Sequence, residues 1–211
     1  MRPQKQNPEA ERRNCALAVL LLTVLSLCAS SFGAETNDKA TVDNVALSIP
    51  DAKGVAQTPF ELKGAVASVL IFVMHDCPIA NAYARELERL RRDYGPKKIR
   101  FQLVFVDPDL TLAALEKHNS EYGLTNHTAF LDSTQALVKA TGATATPEAV
   151  VVGANGKIRY RGRIDNLYSA WGKSRGQATE KDLRQALDAI VKGKSVPNPR
   201  TKVIGCYIPT N

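Results

Sequence analysis

Cysteine is scarce in this chain, with four among 211 residues, and aromatic residues make up only 6%. Four cysteines are too few for a disulfide-dense mini-protein, and a chain of this length buries enough surface to fold without such cross-links. A hydrophobic content of 44% excludes a disordered tail. Internal repeats and low-complexity tracts are missing as well. We therefore expect one globular domain, with cysteines available for chemistry.

Two of the four cysteines lie in an apolar run near the N-terminus. Arg12 and Arg13 precede this run, which covers residues 15–29 (CALAVLLLTVLSLCA). The pattern predicts an export signal over residues 1–34, with an undefined cleavage site and an uncleaved membrane anchor as the alternative. Removal of the signal would leave Cys77 and Cys206 in the periplasm or cell envelope, where disulfides persist.

The net charge of +7 does not by itself indicate a nucleic-acid-binding protein. Most of the basic excess lies between Lys157 and Lys202, where it is interleaved with predicted strand and helix residues. No nucleic-acid-binding motif accompanies it. We expect this charge to serve solubility, peripheral contact with an anionic membrane or an acidic partner.

Apolar patterning predicts alternating strands and helices within one domain over residues 35–195, followed by an extended tail over residues 196–211. Strands are predicted at 65–74, 100–106, 148–153 and 157–163, after a short turn-rich β segment at 42–62. Helices are predicted at 78–94, after Asp109, at 133–141 and after Thr179, with Asp109 as a cap and Thr179 with Asp182 as a capping box. Asn155-Gly156 indicates a hairpin turn. This order requires a parallel crossover first and an antiparallel pair later.

Cys77 stands at the junction between the first buried strand and the helix that follows it. Ligands tend to bind at such strand ends in open α/β sheets. Pro78 suits the first turn of a helix, so the Cys77 thiol would face the positive end of the helix dipole, which favours the thiolate. Cys77 is therefore a candidate nucleophile, and a buried, inert cysteine is the alternative.

Several segments together resemble a known family. They are FVMHDCP at the end of the first central strand, Thr146-Pro147, EAVVVGANGKIRYRG, Tyr160–Asp165 (YRGRID) and Gly205-Cys-Tyr-Ile208. The chain resembles the thioredoxin fold and, within it, the redoxin group, the thioredoxin-like relatives of peroxiredoxins. This resemblance implies an α/β fold with a central mixed β-sheet flanked by helices, an N-terminal β extension and an extended C-terminal tail.

The resemblance also implies a site and a chemistry. Pro147 would be a cis-proline facing Cys77, which would leave the backbone beside Thr146 free to pair with an extended substrate. Arg163 would lie near the thiolate and be held by Asp165. The residues expected to shape the site are His75, Asp76, Pro78, Thr146, Pro147, Glu148, Arg163 and Asp165. The implied activity is thiol–disulfide exchange with a protein or small-molecule thiol, with an external electron donor and no cofactor.

Departures from the wider families leave alternatives open. Ala80 stands where thioredoxins carry a second cysteine, so Cys206 is the remaining intramolecular partner for Cys77. We expect a reversible disulfide in which Cys77 attacks and Cys206 resolves, with a static packed Cys206 as the alternative. Met74 replaces the threonine that positions peroxide in peroxiredoxins, which argues against a peroxidase without excluding one. A copper carrier using Cys77 and His75, or a non-catalytic redox scaffold, is a further alternative.

Overall fold

The computed structural model describes residues 40–209. The predicted export signal at residues 1–34 lies outside these residues. Within residues 40–209, no helix combines the length and the apolar character that a membrane crossing requires.

Five strands form the central sheet, and short strand pairs lie around it. The strands of the described chain are β1 (Ile49–Pro50), β2 (Ala56–Gln57), β3 (Ala67–Val73), β4 (Ile99–Phe105), β5 (Thr128–Leu131), β6 (Ala145–Thr146), β7 (Glu148–Val152), β8 (Ile158–Gly162), β9 (Tyr168–Ala170), β10 (Lys173–Ser174) and β11 (Cys206–Tyr207). The central sheet has the order β5-β4-β3-β7-β8. Strands β3, β4 and β5 run parallel, whereas β7 is antiparallel to both β3 and β8.

Helices cover both faces of this sheet. They are α1 (Pro78–Ala82), α2 (Ala84–Tyr94), α3 (Leu112–Glu121), α4 (Ala136–Thr141) and α5 (Asp182–Val191), with short 3-10 turns at Gly95–Lys97 and Ala154–Gly156. All seven residues of β3 are buried, as expected for a central strand covered on both sides. Because side chains alternate along a strand, Val69 and Ile71 pack with α1, α2, α3 and α5, whereas Leu70 and Phe72 pack with α4. The predicted mixed sheet flanked by helices is confirmed.

The structure corrects several predicted element boundaries. Strand β5 was not predicted, and the helix after Pro78 is divided in two at Tyr83. Helix α3 is capped by Thr111, whose hydroxyl accepts a hydrogen bond from the Ala114 amide at 3.2 Å, so the predicted cap at Asp109 is wrong. The predicted capping box is also wrong, because the Thr179 hydroxyl accepts a hydrogen bond from the Asn166 side chain instead.

The hairpin turn between β7 and β8 is confirmed. Asn155 and Gly156 both have positive φ angles, of 56° and 70°. A β-carbon at Gly156 would lie 2.5 Å from Val45, so the N-terminal segment packs directly against this turn. The glycine thus serves both the turn geometry and the close approach of the N-terminal segment.

Acid is expected to destabilise the fold through His127, which is buried with 8% of its surface exposed. Burial lowers the pKa of His127 from 6.5 to about 4, with the neighbouring Glu88 and Arg91 acting in opposite directions. The unfolded chain therefore binds one more proton than the folded chain between these values, and the free energy of unfolding falls as the pH drops through that window, by about 3 kcal/mol. Urea unfolding of the wild type and of His127→Gln at pH 4 to 8 measures this, and equal pH dependence in both proteins would contradict it.

Candidate functional site

Cys77 lies where the prediction placed it, at the end of β3 and immediately before α1. It is the N-cap of α1 in an extended conformation, and Pro78 is the first residue of the helix. The Cys77 amide donates to the Met74 carbonyl at 3.2 Å, and the Cys77 carbonyl accepts from the Asn81 amide at 3.0 Å. Only 1% of Cys77 is exposed. The sulfur is thus held at the strand–helix junction, under the protein surface.

Cys77 forms a disulfide with Cys206, which is 129 residues further along the chain. The two Cα atoms are 6.3 Å apart, within the usual range for a disulfide. Cys206 is partly exposed, and the neighbouring Tyr207 is 86% exposed. The pairing expected from the sequence is confirmed, and Cys77 is the more buried of the two cysteines.

The C-terminal tail is held against the loop that faces Cys77. Strand β11 pairs antiparallel with β6, which places Cys206 opposite Thr146. The Ile208 amide donates to the Thr144 carbonyl at 3.0 Å, and the Ile208 side chain is buried in the core cluster that also contains α4 residues. The backbone beside Thr146, expected to be free for an extended substrate, is therefore occupied by the protein's own tail.

The loop before β7 forms the other wall of the site. The Thr146–Pro147 peptide bond is cis, as the resemblance implied. The Cys77 sulfur lies 3.4 Å from the Thr146 carbonyl oxygen. Buried Glu148 fixes this loop, because its carboxylate accepts hydrogen bonds from the amides of Thr144 at 2.7 Å and Ala145 at 3.2 Å. Thr146 thus lies beside Cys77, and Pro147 and Glu148 follow it directly in the chain.

His75 belongs to a polar network that the sequence reasoning only partly identified. Its Nδ1 lies 2.7 Å from a carboxylate oxygen of Asp107, and its backbone amide also donates to that carboxylate at 3.2 Å. Asn81 donates to the His75 carbonyl at 2.8 Å and contacts Nε2 of His118 at 2.9 Å. Asp107 was not predicted as a site residue, although it lies just after the end of β4. Because the parallel strands β3 and β4 end at the same edge of the sheet, their predicted pairing could have placed Asp107 near His75.

The family model of Redoxin matches residues 35–173, more than half of the chain. The chain belongs to the Redoxin family.

Comparison with solved structures places this redoxin in the thioredoxin-like fold. A hypothetical protein from Sinorhizobium meliloti 1021 is 28% identical with a TM-score of 0.68, covering 81% of this chain and 95% of that one. An uncharacterised conserved protein from Geobacillus kaustophilus is 26% identical with a TM-score of 0.70, covering 82% and 94%. A putative thioredoxin from Neisseria meningitidis is 22% identical with a TM-score of 0.56, covering 74% and 92%, and shows the fold alone. A comparison with curated proteins found no match.

Arg163 and Asp165 of this redoxin do not form the pair that was expected. Arg163 Nε donates to Asp182 at 2.8 Å, and its guanidinium also pairs with Glu180. Asp165 accepts a hydrogen bond from the Tyr83 hydroxyl at 2.6 Å. Burial, together with this bond to Asp165, raises the pKa of Tyr83 far above its usual value, so the hydroxyl remains a donor. The prediction that Asp165 holds Arg163 is wrong because each has a nearer partner.

Among residues 40–209, the side chains of His75, Asp76 and Asp107 form a cluster whose metal-ligating atoms lie within 4.8 Å of one another. Both cysteines are absent from this cluster. His118 and His127 are both buried, each with 8% of its surface exposed. The copper alternative, which relied on Cys77 with His75, gains no support from this arrangement.

The redoxin tail approaches the Thr146 loop so closely that only glycine fits before Cys206. A β-carbon at Gly205 would lie 2.0 Å from the Thr146 carbonyl oxygen, which is backbone and cannot swing away. We expect Gly205→Ala to make the Cys77–Cys206 disulfide easier to reduce, because the clash acts on the oxidised form and the reduced tail can leave β6. Overpacking of this kind costs about 2 kcal/mol, which corresponds to a roughly 30-fold shift in the equilibrium with glutathione.

The matched control for this substitution is Gly176→Ala, because a β-carbon at Gly176 meets nothing within 4 Å. Both variants are equilibrated in glutathione redox buffers, and the fraction of linked Cys77 and Cys206 peptides is counted by mass spectrometry. An unchanged equilibrium for Gly205→Ala would show that the tail backbone adjusts without cost.

Proposed function

We propose that this redoxin is a thiol–disulfide oxidoreductase in which Cys77 is the nucleophile of the reduced form and Cys206 resolves the mixed disulfide. The observation that carries the proposal is the Cys77–Cys206 disulfide, held at a strand–helix junction beside the Thr146 carbonyl. A purely structural cross-link would not need one sulfur at a helix start and the other on a tail held by a strand of two residues.

The chemistry follows from the positions of the two sulfurs. In the reduced form, the Cys77 thiolate would attack one sulfur of a partner disulfide and release the other as a thiolate. Cys206 would then attack Cys77, forming the internal disulfide and releasing the second partner thiolate. The partner gains two electrons, and the pair in this protein loses them. The substrate class is therefore a protein or small-molecule disulfide, and an external thiol must restore the reduced pair.

A thiol peroxidase is the competing function, since the same two cysteines would suit a sulfenic acid on Cys77 that Cys206 resolves. Met74 argues against it, because its thioether offers no hydroxyl to position peroxide. Rapid-quench measurements on the reduced protein separate the two functions. We expect fast formation of the Cys77–Cys206 disulfide with glutathione disulfide and slow formation with hydrogen peroxide. Fast reaction with peroxide alone would favour the peroxidase, and reaction with neither would favour a non-catalytic protein.

We also propose that the protein is exported to the periplasm or cell envelope and acts there on thiol partners. The apolar run at residues 15–29 and the internal disulfide both support an oxidising compartment. Fractionation of cells that express the full chain, followed by mass measurement of the intact protein, tests this. A shortened protein in the soluble envelope fraction would support cleavage, and a full-length protein in the membrane fraction would support an anchor.

A further inference from the structure

We propose that the electron donor that reopens the oxidised protein attacks the Cys206 sulfur rather than the Cys77 sulfur. This inference rests on the proposed function and assigns the first bond of the reducing half-reaction. The two half-reactions then begin at different cysteines: the donor enters at Cys206, and the substrate disulfide is attacked by Cys77.

The burial of Cys77 argues against entry at that sulfur. Cys77 is 1% exposed and belongs to the core cluster that contains Val73, Ile79 and Tyr83. The Thr146 carbonyl oxygen lies 3.4 Å from its sulfur and presents a negative dipole end to any approaching thiolate. Exchange rates depend on which sulfur is accessible. A donor could reach Cys77 only by opening this part of the core.

Cys206 offers the accessible end of the same bond. The residue is partly exposed, and Tyr207 beside it is 86% exposed. Within residues 40–209, β11 has one partner strand, β6, and each strand has two residues. This short pair, the bond from the Ile208 amide to the Thr144 carbonyl and the buried Ile208 side chain hold the segment that carries Cys206. It can take up a donor molecule at a lower structural cost than the buried Cys77.

The reaction is balanced in sulfur and electrons. A donor thiolate forms a bond to the Cys206 sulfur, the Cys77–Cys206 bond breaks, and its electron pair leaves on Cys77 as a thiolate. A second thiolate of a dithiol donor then attacks the donor sulfur in the mixed disulfide. This step releases Cys206 as a thiolate and the donor as a disulfide. The donor loses two electrons and the cysteine pair gains them, while two protons pass from the donor to the protein thiols through solvent.

This order has a consequence for the substrate side of the site. While Cys206 carries the donor, it no longer ties the tail to Cys77, so β11 can leave the Thr146 backbone. Departure of the tail uncovers both the Cys77 thiolate and the strand edge of β6. Binding of the donor would thereby expose the surface on which the next partner binds. That partner is a disulfide in an extended polypeptide.

Glutathione is the probe that tests the entry sulfur on the oxidised full-length protein. The protein is mixed with excess glutathione, and samples are quenched with acid at successive short times. The free thiols are then alkylated at once with a fast reagent. Both cysteine peptides are analysed by mass spectrometry. At the earliest time we expect glutathione on Cys206 and the alkyl group on Cys77, with a preference on the order of tenfold or more. The control is the same oxidised protein unfolded in guanidinium, where the preference should fall close to one.

The outcomes separate the two proposals. A tenfold excess of the Cys206 adduct in the folded protein, but not in the unfolded control, supports entry at Cys206. An excess of glutathione on Cys77, or an equal distribution in the folded protein, overturns entry at Cys206 and leaves the oxidoreductase proposal standing. Failure of the folded protein to react, with normal reaction after unfolding, overturns both, because the disulfide would then be a static cross-link.

Discussion

Replacing Cys77 by serine is expected to lower the rate of disulfide reduction roughly a thousandfold or more, toward the background of free thiols. Serine is a weak nucleophile without an adjacent base, and the remaining Cys206 lies in strand β11 rather than at the start of a helix. The measurement is reduction of glutathione disulfide by the reduced protein, followed by counting the thiols released.

Cys206→Ser is the matched variant, because it keeps Cys77 and its surroundings. It should release one thiol from glutathione disulfide and stop, with glutathione left bound to Cys77. Cys77→Ser should show neither the fast release nor the adduct. Full activity in Cys77→Ser would mean that Cys206 is the nucleophile and that the proposed roles are reversed. Thermal unfolding of both variants checks that the fold survives.

Glu148→Ala is expected to lower the free energy of unfolding by about 3 kcal/mol, since breaking a buried charge pair leaves its partner uncompensated. Glu148 is 3% exposed and lies 3.7 Å from the Arg161 guanidinium. Its removal would also leave the amides of Thr144 and Ala145 without their acceptor. Urea unfolding of the oxidised protein measures the loss.

Glu148→Gln separates the hydrogen bonds from the charge. The glutamine carbonyl can still accept from the Thr144 amide, so we expect a loss of only about 1 kcal/mol. The two variants should therefore differ by about 2 kcal/mol. Equal losses would assign the whole effect to the ion pair with Arg161, and equal stability of all three proteins would show that water replaces the carboxylate.

The parts of the fold that could be predicted are those with a strong local pattern. The run of apolar residues in β3 has no other stable place than the middle of a sheet, and Asn155-Gly156 fits few structures besides a tight turn. Strand β5 was missed because it has only four residues and its burial comes from pairing with β4, which is not visible locally. The first helix is divided at Tyr83 without a proline or glycine at that point, so this division likewise could not be predicted from the local sequence.

The site was predictable as far as single residues carry chemistry. Cys77 could be found from its position after a buried strand, and Cys206 followed once Ala80 had removed the local alternative. The partners of Arg163 could not be found, because Glu180 and Asp182 reach it from the start of α5 and the segment before it. The orientation of a long charged side chain at a strand end depends on tertiary packing, about which sequence spacing carries little information.

The contact between Gly205 and Thr146 bears on which foreign segments could take the place of the tail. A partner strand in the same register, with its cysteine bonded to Cys77, would bring its preceding residue against the same carbonyl oxygen. Any side chain there would collide with the backbone, as a β-carbon at Gly205 would. In that register, the site would admit a strand with glycine before its cysteine and exclude a strand with any other residue there. A segment that replaces the tail in this register would therefore need the same Gly-Cys pair that Gly205 and Cys206 form.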